Sequence, residues 1–184
     1  MTLYTHAFVG LGLGNVLTGR RMPLLFWLLA AILPTVPDFD AFSYHSYGNI
    51  WGHRGWTHSL MFALVLGVVV AAVTFRYFKI NLWVLAAFFF LIIASHGVLD
   101  ALTFGGFGIP FFWPFYNERF GSWGPVPLPI GMEFPDPRKY PAIRAELLWV
   151  WLPTIVLVIL VGAYRHFRRW KSAGRNLNQV TEAR

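Results

Sequence analysis

Long apolar runs dominate this sequence and constrain its fold more than any other feature. A helix that crosses a bilayer needs about 20 predominantly apolar residues, with a range of about 17–25. Two short runs and three runs of suitable length follow one another along the chain; they are about Leu3–Gly19, Met22 to about Val36, Ser59–Phe75, about Ile80–Phe104 and Leu147–Tyr164. Charged residues make up only 12% of the sequence, against about 25% in an ordinary soluble domain. We therefore predict an all-α, polytopic transmembrane bundle of about four to five segments.

The positive charges predict the orientation of these segments. Arg20 and Arg21 separate the first two runs, Arg76 and Lys79 separate the third from the fourth, and a basic stretch follows the fifth. Short basic loops stay in the cytoplasm. With these loops inside, ten of the fifteen Lys/Arg residues are cytoplasmic and seven of the eight carboxylates are outside. We expect a multi-pass protein of the cytoplasmic (inner) membrane, with its N-terminus outside and its C-terminus inside.

The remaining features predict one embedded domain and no soluble one. Residues 1–170 form the predicted membrane-embedded domain, and residues 171–184 form a basic cytoplasmic tail. The opening MTLYTHAFVG has no basic region and no clear cleavage site, so we do not expect a signal peptide. The loop 105–146 is rich in Pro, Gly and aromatic residues, and we interpret it as a turn-rich outer cap; the alternative is an interfacial wall that admits lipid.

The net charge of +7 does not indicate nucleic-acid binding, because the basic residues collect next to apolar segments and form no soluble face. We therefore expect membrane lipid, and no nucleic acid, as the partner. The sequence has no cysteine, which excludes disulfides and thiolate metal ligands. Nothing in the pattern indicates an oligomeric state.

Histidine and aspartate residues collect near the predicted outer boundary of the membrane. They come from four separate parts of the chain; the candidate metal ligands are His6, Asp38, Asp40, His53, His58, His96 and Asp100. His96 and Asp100 are four residues apart and share one helix face. Asp38 and Asp40 are two apart in what we predict to be a Pro-bounded loop. A carboxylate in hydrocarbon costs about 2.5–3.5 kcal/mol, and a divalent cation would offset that cost.

Imidazole and carboxylate ligands together are typical of Zn sites, and Mn or Fe also accept them. Seven candidates exceed the needs of one tetrahedral ion, so the sequence is compatible with either one ion or two. Paired metals about 3.5–4 Å apart suit phosphoester hydrolysis. For catalysis we single out Asp38 or Asp40 as the group that bridges metals or accepts a proton, and Arg54 as a phosphate ligand.

Each of these residues also has a plainer interpretation. A single intramembrane histidine such as His6 is usually a helix-packing residue, and Asp38 or Asp40 could simply begin or end a helix. Thr57 and Ser59 are candidate caps of the third segment. We interpret Glu146 as a boundary charge, and His45 and His166 as surface or interfacial residues. What argues against the plainer interpretations is that the acids and histidines all fall on one side of the membrane.

The motifs TH at residues 5–6, PDxD at 37–40, HRGxTHS at 53–59 and SHxxxD at 95–100 resemble the YdjM-type family of inner-membrane proteins, which are classed as metal-dependent hydrolases. The resemblance covers roughly residues 5–104, and HRGxTHS is its most specific string. It implies a metal centre built from the seven candidate ligands and supplies no substrate. The pattern is more distantly similar to zinc-dependent phospholipase C and P1-type nucleases.

From these features we expect a membrane-bound metal-dependent hydrolase that cleaves a lipid phosphoester at the outer face. The alternative is a metal- or proton-handling transporter without hydrolytic chemistry, because intramembrane His and Asp also build ion paths. A purely structural or partner-binding membrane protein is a third possibility. The sequence contains no HExxH motif, which argues against an intramembrane metalloprotease of that type.

Overall fold

A computed structural model of the chain confirms the all-α membrane class. The structure describes residues 1–19, 22–43, 47–104, 106–121, 124, 126–127 and 140–182. Its elements in chain order are α1 (Leu3–Thr18), α2 (Leu24–Ile32), a 3₁₀ helix (Leu33–Phe42), a 3₁₀ turn (Trp56–His58), α3 (Leu60–Phe78), α4 (Leu82–Ala101), β1 (Thr103–Phe104), β2 (Val126–Pro127), α5 (Tyr140–Glu146), a π-helical segment (Leu147–Trp151) and α6 (Leu152–Glu182). Within the described residues, four helical stretches are long and apolar enough to cross a membrane.

The second segment is longer than its apolar run predicts. Helix α2 continues without a break into the 3₁₀ helix, so that Leu24–Phe42 forms one candidate span. Pro34 and Pro37 lie in the 3₁₀ part, where the missing backbone N–H of proline forces the helix to depart from regular α geometry. The prediction that Asp38 and Asp40 lie in a loop is therefore wrong. Both residues lie on this tightened helix end.

Helices α3 and α4 form the closest-packed pair in the bundle. Gly67 makes their close approach possible, because a methyl group there would lie 2.7 Å from the backbone nitrogen of Phe90. Phe26 of α2 stacks on Phe88 of α4 at 5.3 Å between ring centroids and joins α2 to this pair. Small residues at helix contacts and interlocked aromatic rings are the usual basis of helix association in membranes.

The described part of the segment that follows α4, residues 106–121, forms a cap over the end of the bundle that carries the HRGxTHS string; its placement outside the membrane stays a prediction. Ile109 pairs with Phe120 across a short antiparallel bridge. The guanidinium of Arg119 donates to the carbonyl oxygens of Arg54 at 2.9 Å, Gly108 at 3.1 Å and Gly48 at 2.7 Å. One cation thus joins this cap to the loop that contains the HRGxTHS string.

The last membrane segment begins earlier and ends later than its apolar run predicts. Helix α5 starts at Tyr140, inside the predicted outer loop, and α6 carries the predicted basic tail as helix to Glu182. Two further predictions concern residues outside the described ones: the cytoplasmic placement of Arg20 and Arg21, and the surface placement of His45. Ser59 does cap α3, since its Oγ accepts from the backbone N–H of Phe62 at 3.1 Å.

Candidate metal centre

Four of the predicted ligands meet in one buried group. Asp38 comes from the 3₁₀ helix after α2, His58 from the turn before α3, and His96 and Asp100 from the last turns of α4. One ligand atom of each lies within 4.8 Å of the ligand atoms of the others. His58, His96 and Asp100 are almost fully buried, whereas the side chain of Asp38 is 22% exposed. The group is therefore enclosed, with Asp38 on its open side.

The distances within this group are close to those of a tetrahedral metal site. The Nε2 atoms of His58 and His96 are 3.0 Å apart, and Oδ1 of Asp38 lies 3.7 Å and 3.3 Å from them, respectively. Oδ2 of Asp100 lies 3.8 Å from each of these nitrogens. Ligands about 2.0–2.2 Å from a tetrahedral zinc lie about 3.3–3.6 Å from one another. The observed distances, 3.0–3.8 Å, bracket this range, so shifts of a few tenths of an ångström would let the four atoms surround such an ion.

The outer hydrogen bonds of both imidazoles point their lone pairs into this space. Nδ1 of His96 lies 2.7 Å from the carbonyl oxygen of Pro34, which can only accept, so Nδ1 carries the proton. Nδ1 of His58 lies 3.1 Å from the hydroxyl oxygen of Thr57, whose proton goes to Asp40, and 3.2 Å from Oδ2 of Asp40, so this Nδ1 also carries its proton. In neutral imidazoles the lone pairs are then on the two Nε2 atoms, which face each other. A shared proton or a cation must lie between them, and a carbonyl or carboxylate on the outer nitrogen is the usual second shell of a metal-bound histidine.

Asp40 organises the second His/Asp group, which it forms with His53 and His58. Its carboxylate lies 2.8 Å from Nδ1 of His53 and accepts from the hydroxyl of Thr57 and, at 3.4 Å, from the backbone N–H of Gly55. Thr57 therefore binds Asp40 and does not cap α3, in contrast to its predicted role. His53 has a 30% exposed side chain and is the most accessible imidazole of the two groups.

The electrostatics around His58 favour a positive charge. Burial alone would lower the pKa of its imidazole, but the hydrogen bonds to Asp38 and Asp40 outweigh burial and raise that pKa to about 9. A proton therefore occupies this site readily when no metal does, and a divalent cation would have to displace it.

His6 lies beside the centre, outside both groups. Its ring stacks on His96 with centroids 3.8 Å apart, and its Nε2 is 3.4 Å from Oδ1 of Asp100. It is fully buried, and neither of its ring nitrogens makes a hydrogen bond. The 3.4 Å contact with Asp100 compensates only in part for the burial of this imidazole, and coordination to a cation would satisfy it further. The role of His6 as a ligand stays a prediction.

Arg54 is part of the same cluster, although its predicted contact with phosphate stays a prediction. The side chain is buried, with Nε 3.2 Å from Oδ2 of Asp100 and Nη2 donating to Thr103 at 2.7 Å. Its backbone has a positive φ of 62°, an uncommon conformation for a residue with a side chain. The terminal ammonium of Met1 contacts Oδ1 of Asp100, so that Asp100 has a cation on each side.

Glu146 is the polar residue whose surroundings differ most from the prediction. It is 3% exposed and accepts from the backbone N–H and hydroxyl of Thr2, at 2.8 Å and 2.5 Å, and from the hydroxyl of Thr5 at 2.6 Å. The indole of Trp151 also donates to Thr5, at 2.8 Å. The interpretation of Glu146 as a boundary charge is wrong, because this carboxylate fastens the start of α1 to the last membrane segment, one residue before His6. A carboxylate directly before the apolar LLWVW was the available sequence signal.

The fold and the cluster together define a class: a multi-pass helical membrane protein with a buried histidine/aspartate centre near one end. The chain belongs to the YdjM inner membrane protein family, whose model matches residues 1–170. It is 36% identical over 163 residues to the inner membrane protein YbcI of Escherichia coli (strain K12), a match that covers 85% of this chain and 94% of that protein. No solved structure gives a significant match.

The four-ligand group predicts how metal binding responds to substitution. We expect purified protein to retain a divalent metal after dialysis, and His96→Ala to lose most of it, because the variant removes one nitrogen and leaves His58 without its partner. His166→Ala, at an exposed position on α6, is the matched control and should keep the wild-type content. Elemental analysis by mass spectrometry measures the ratio of metal to protein. Equal metal content in the wild type and both variants would contradict the site.

Proposed function

We propose that the protein is a membrane-bound metal-dependent hydrolase that cleaves a phosphoester of a lipid. The observation that carries the proposal is the facing pair of imidazole nitrogens, 3.0 Å apart, flanked by Asp38 and Asp100. Zinc suits this mixed nitrogen and oxygen set best, and manganese or iron also accept it. Such a cation polarises phosphoryl oxygens and makes water nucleophilic at neutral pH.

In this proposal the residues around the centre have distinct tasks. Asp38, His58, His96 and Asp100 would hold the first ion, and Asp40, together with Thr57, orients His58 at its Nδ1. The Asp40–His53 pair is the accessible proton acceptor, because His53 is the exposed imidazole and Asp40 holds its Nδ1 at 2.8 Å. Arg54 supplies positive charge for a phosphate oxygen from beside Asp100. His6, whose Nε2 lies 3.4 Å from Oδ1 of Asp100, is the remaining candidate ligand on this side of the centre.

The substrate class follows from where the centre lies. The ligands lie at the ends of α4 and of the Leu24–Phe42 span and just before α3. We expect lipid head groups to meet hydrocarbon at the ends of such spans, which supports a lipid substrate. The open side of the group is at Asp38, and exposed Phe39 and Phe42 flank it on the same 3₁₀ helix. Aromatic side chains at the membrane interface are well suited to contact lipid.

Substitution of Asp40 tests the proposed chemistry. Asp40→Asn keeps the size of the side chain but weakens its bonds to His53 and His58, and loss of such outer-shell partners lowers activity by about 10- to 100-fold. Release of phosphate or head group from a panel of phospholipids and lipid phosphates measures the effect. Glu118→Gln, at an exposed carboxylate of the outer cap, should retain full activity.

Two results would contradict the hydrolase. One is metal-loaded protein that cleaves no lipid phosphoester on the panel while Asp40→Asn behaves as the wild type does. The other is metal or proton flux in proteoliposomes without hydrolysis, which would establish the transporter instead.

We further propose that residues 1–170 form one embedded domain with the centre at the outer face, and that residues 171–184 are cytoplasmic. The absence of native cysteine makes single-cysteine labelling a clean test. A membrane-impermeant maleimide should label Asn49→Cys in spheroplasts and leave Ser172→Cys unlabelled. Inside-out vesicles should give the reverse, and labelling of Ser172→Cys in intact spheroplasts would overturn the orientation.

A further inference from the structure

A basic cavity of about 670 Å³ lies between the end of α1, the start of α2 and the middle of α6. Its lining includes Thr18, Met22, Trp27, Arg165, His166 and Arg169. Thr18 is twelve residues beyond His6 on α1, which corresponds to about 18 Å along a helix. The cavity is therefore at the opposite end of the bundle from the metal centre and has no part in the proposed hydrolysis.

The cavity is positively charged, and the described residues that line it include no carboxylate. The sequence has no Asp or Glu before Asp38 or between Leu147 and Thr181, and these stretches supply all of the lining residues. Arg165 is a fixed part of its wall, because its guanidinium donates to the carbonyl oxygens of Asn15 at 2.9 Å and of Val16 at the end of α1. Arg169 and His166, both exposed, complete the positive charge around it.

Gly19, at the end of α1, makes room for the Arg165 side chain in the wall of the cavity. Its φ of 51° ends α1 in the left-handed conformation, which glycine adopts without strain. A methyl group at Gly19 would lie 2.5 Å from the guanidinium carbon of Arg165. The glycine therefore both ends the helix and makes room for the arginine that fixes α6 against it.

An apolar groove adjoins the basic cavity. It has a volume of about 290 Å³, runs between α1 and α6, and shares Asn15 with the cavity. Its other walls include Phe8, Leu11, Gly12, Ile155 and Val158. From Asn15 to Phe8 it extends about 10 Å along α1, toward the middle of the membrane. A charged cavity that continues into an apolar groove matches the polarity of a phospholipid, whose charged head group is joined to apolar chains.

We propose that this composite site binds one anionic phospholipid, with its phosphate in the basic cavity and an acyl chain in the groove between α1 and α6. Basic pockets between transmembrane helices are a common way to bind anionic head groups. A soluble phosphate ester shares the head-group chemistry, but it would leave the adjoining groove without a function. The lipid site shares no residue with the metal centre, so the test of this proposal does not depend on the proposed hydrolase activity.

Native mass spectrometry of the detergent-solubilised full chain, titrated with phosphatidylglycerol, tests the charged half. Arg169→Gln should weaken binding about fivefold, which corresponds to about 1 kcal/mol. Arg168→Gln is the matched control, because it removes the same charge from the adjacent position of α6, outside the cavity lining. Equal weakening by both variants, or by neither, would overturn the proposal, as would equally tight binding of zwitterionic phosphatidylcholine to the wild type.

A second pair of variants tests the groove. Val158→Trp fills it and should weaken phosphatidylglycerol binding severalfold, whereas Val156→Trp, on α6 outside the groove, should not. Glycerol 3-phosphate separates a lipid from a soluble ester: it should compete only weakly, because it gains nothing from the groove. Competition by glycerol 3-phosphate at the same concentration as the lipid, with no effect of Val158→Trp, would overturn the lipid as ligand. Melting temperatures of all four variants confirm that each remains folded.

Discussion

Two imidazole nitrogens that face each other across 3.0 Å in a buried site are the interaction on which the rest of the structure depends. The carbonyl of Pro34 contacts the outer nitrogen of His96, and Thr57 and Asp40 contact the outer nitrogen of His58. Both lone pairs are therefore directed inward, where they repel each other unless a positive charge lies between them. Asp38 and Asp100 border the same space, so three conditions of a metal site coincide: nitrogen and oxygen ligands, a separation close to that of a tetrahedral site, and ligands held by a second shell.

Burial of this cluster is unfavourable, and contacts from the backbone and side chains of several elements around it offset that cost. The prolines tighten the end of the second span, and the carbonyl of Pro34 reaches His96 on α4. Arg119 joins the outer cap to the carbonyl of Arg54, whose side chain faces Asp100. Glu146 ties the start of α1 to the last membrane segment, next to His6. Partly satisfied polar clusters in hydrocarbon are unstable, and this redundancy of contacts explains how the centre persists there.

The fold class was accessible from sequence because membrane thickness gives apolar run length a direct structural meaning. Helix spacing and charge asymmetry predicted that seven histidine and aspartate residues lie at one depth, but not that Asp38, His58, His96 and Asp100 form a separate group. The pairing of Asp40 with His53, Thr57 and His58 could not be predicted from the sequence, because it depends on how closely separate elements approach one another in the fold. The helical continuation through Pro37 and the burial of Glu146 were mispredicted, because local signals for a helix end and for a boundary charge were outweighed by tertiary contacts.

X-ray absorption at the metal edge of zinc-loaded protein tests the central claim most directly. Four nitrogen or oxygen neighbours at about 2.0–2.2 Å, with the multiple scattering of two imidazoles, are the predicted result, and His58→Ala should remove one imidazole from the spectrum. A shell of oxygen atoms without imidazole scattering, or a spectrum unchanged in His58→Ala, would contradict it.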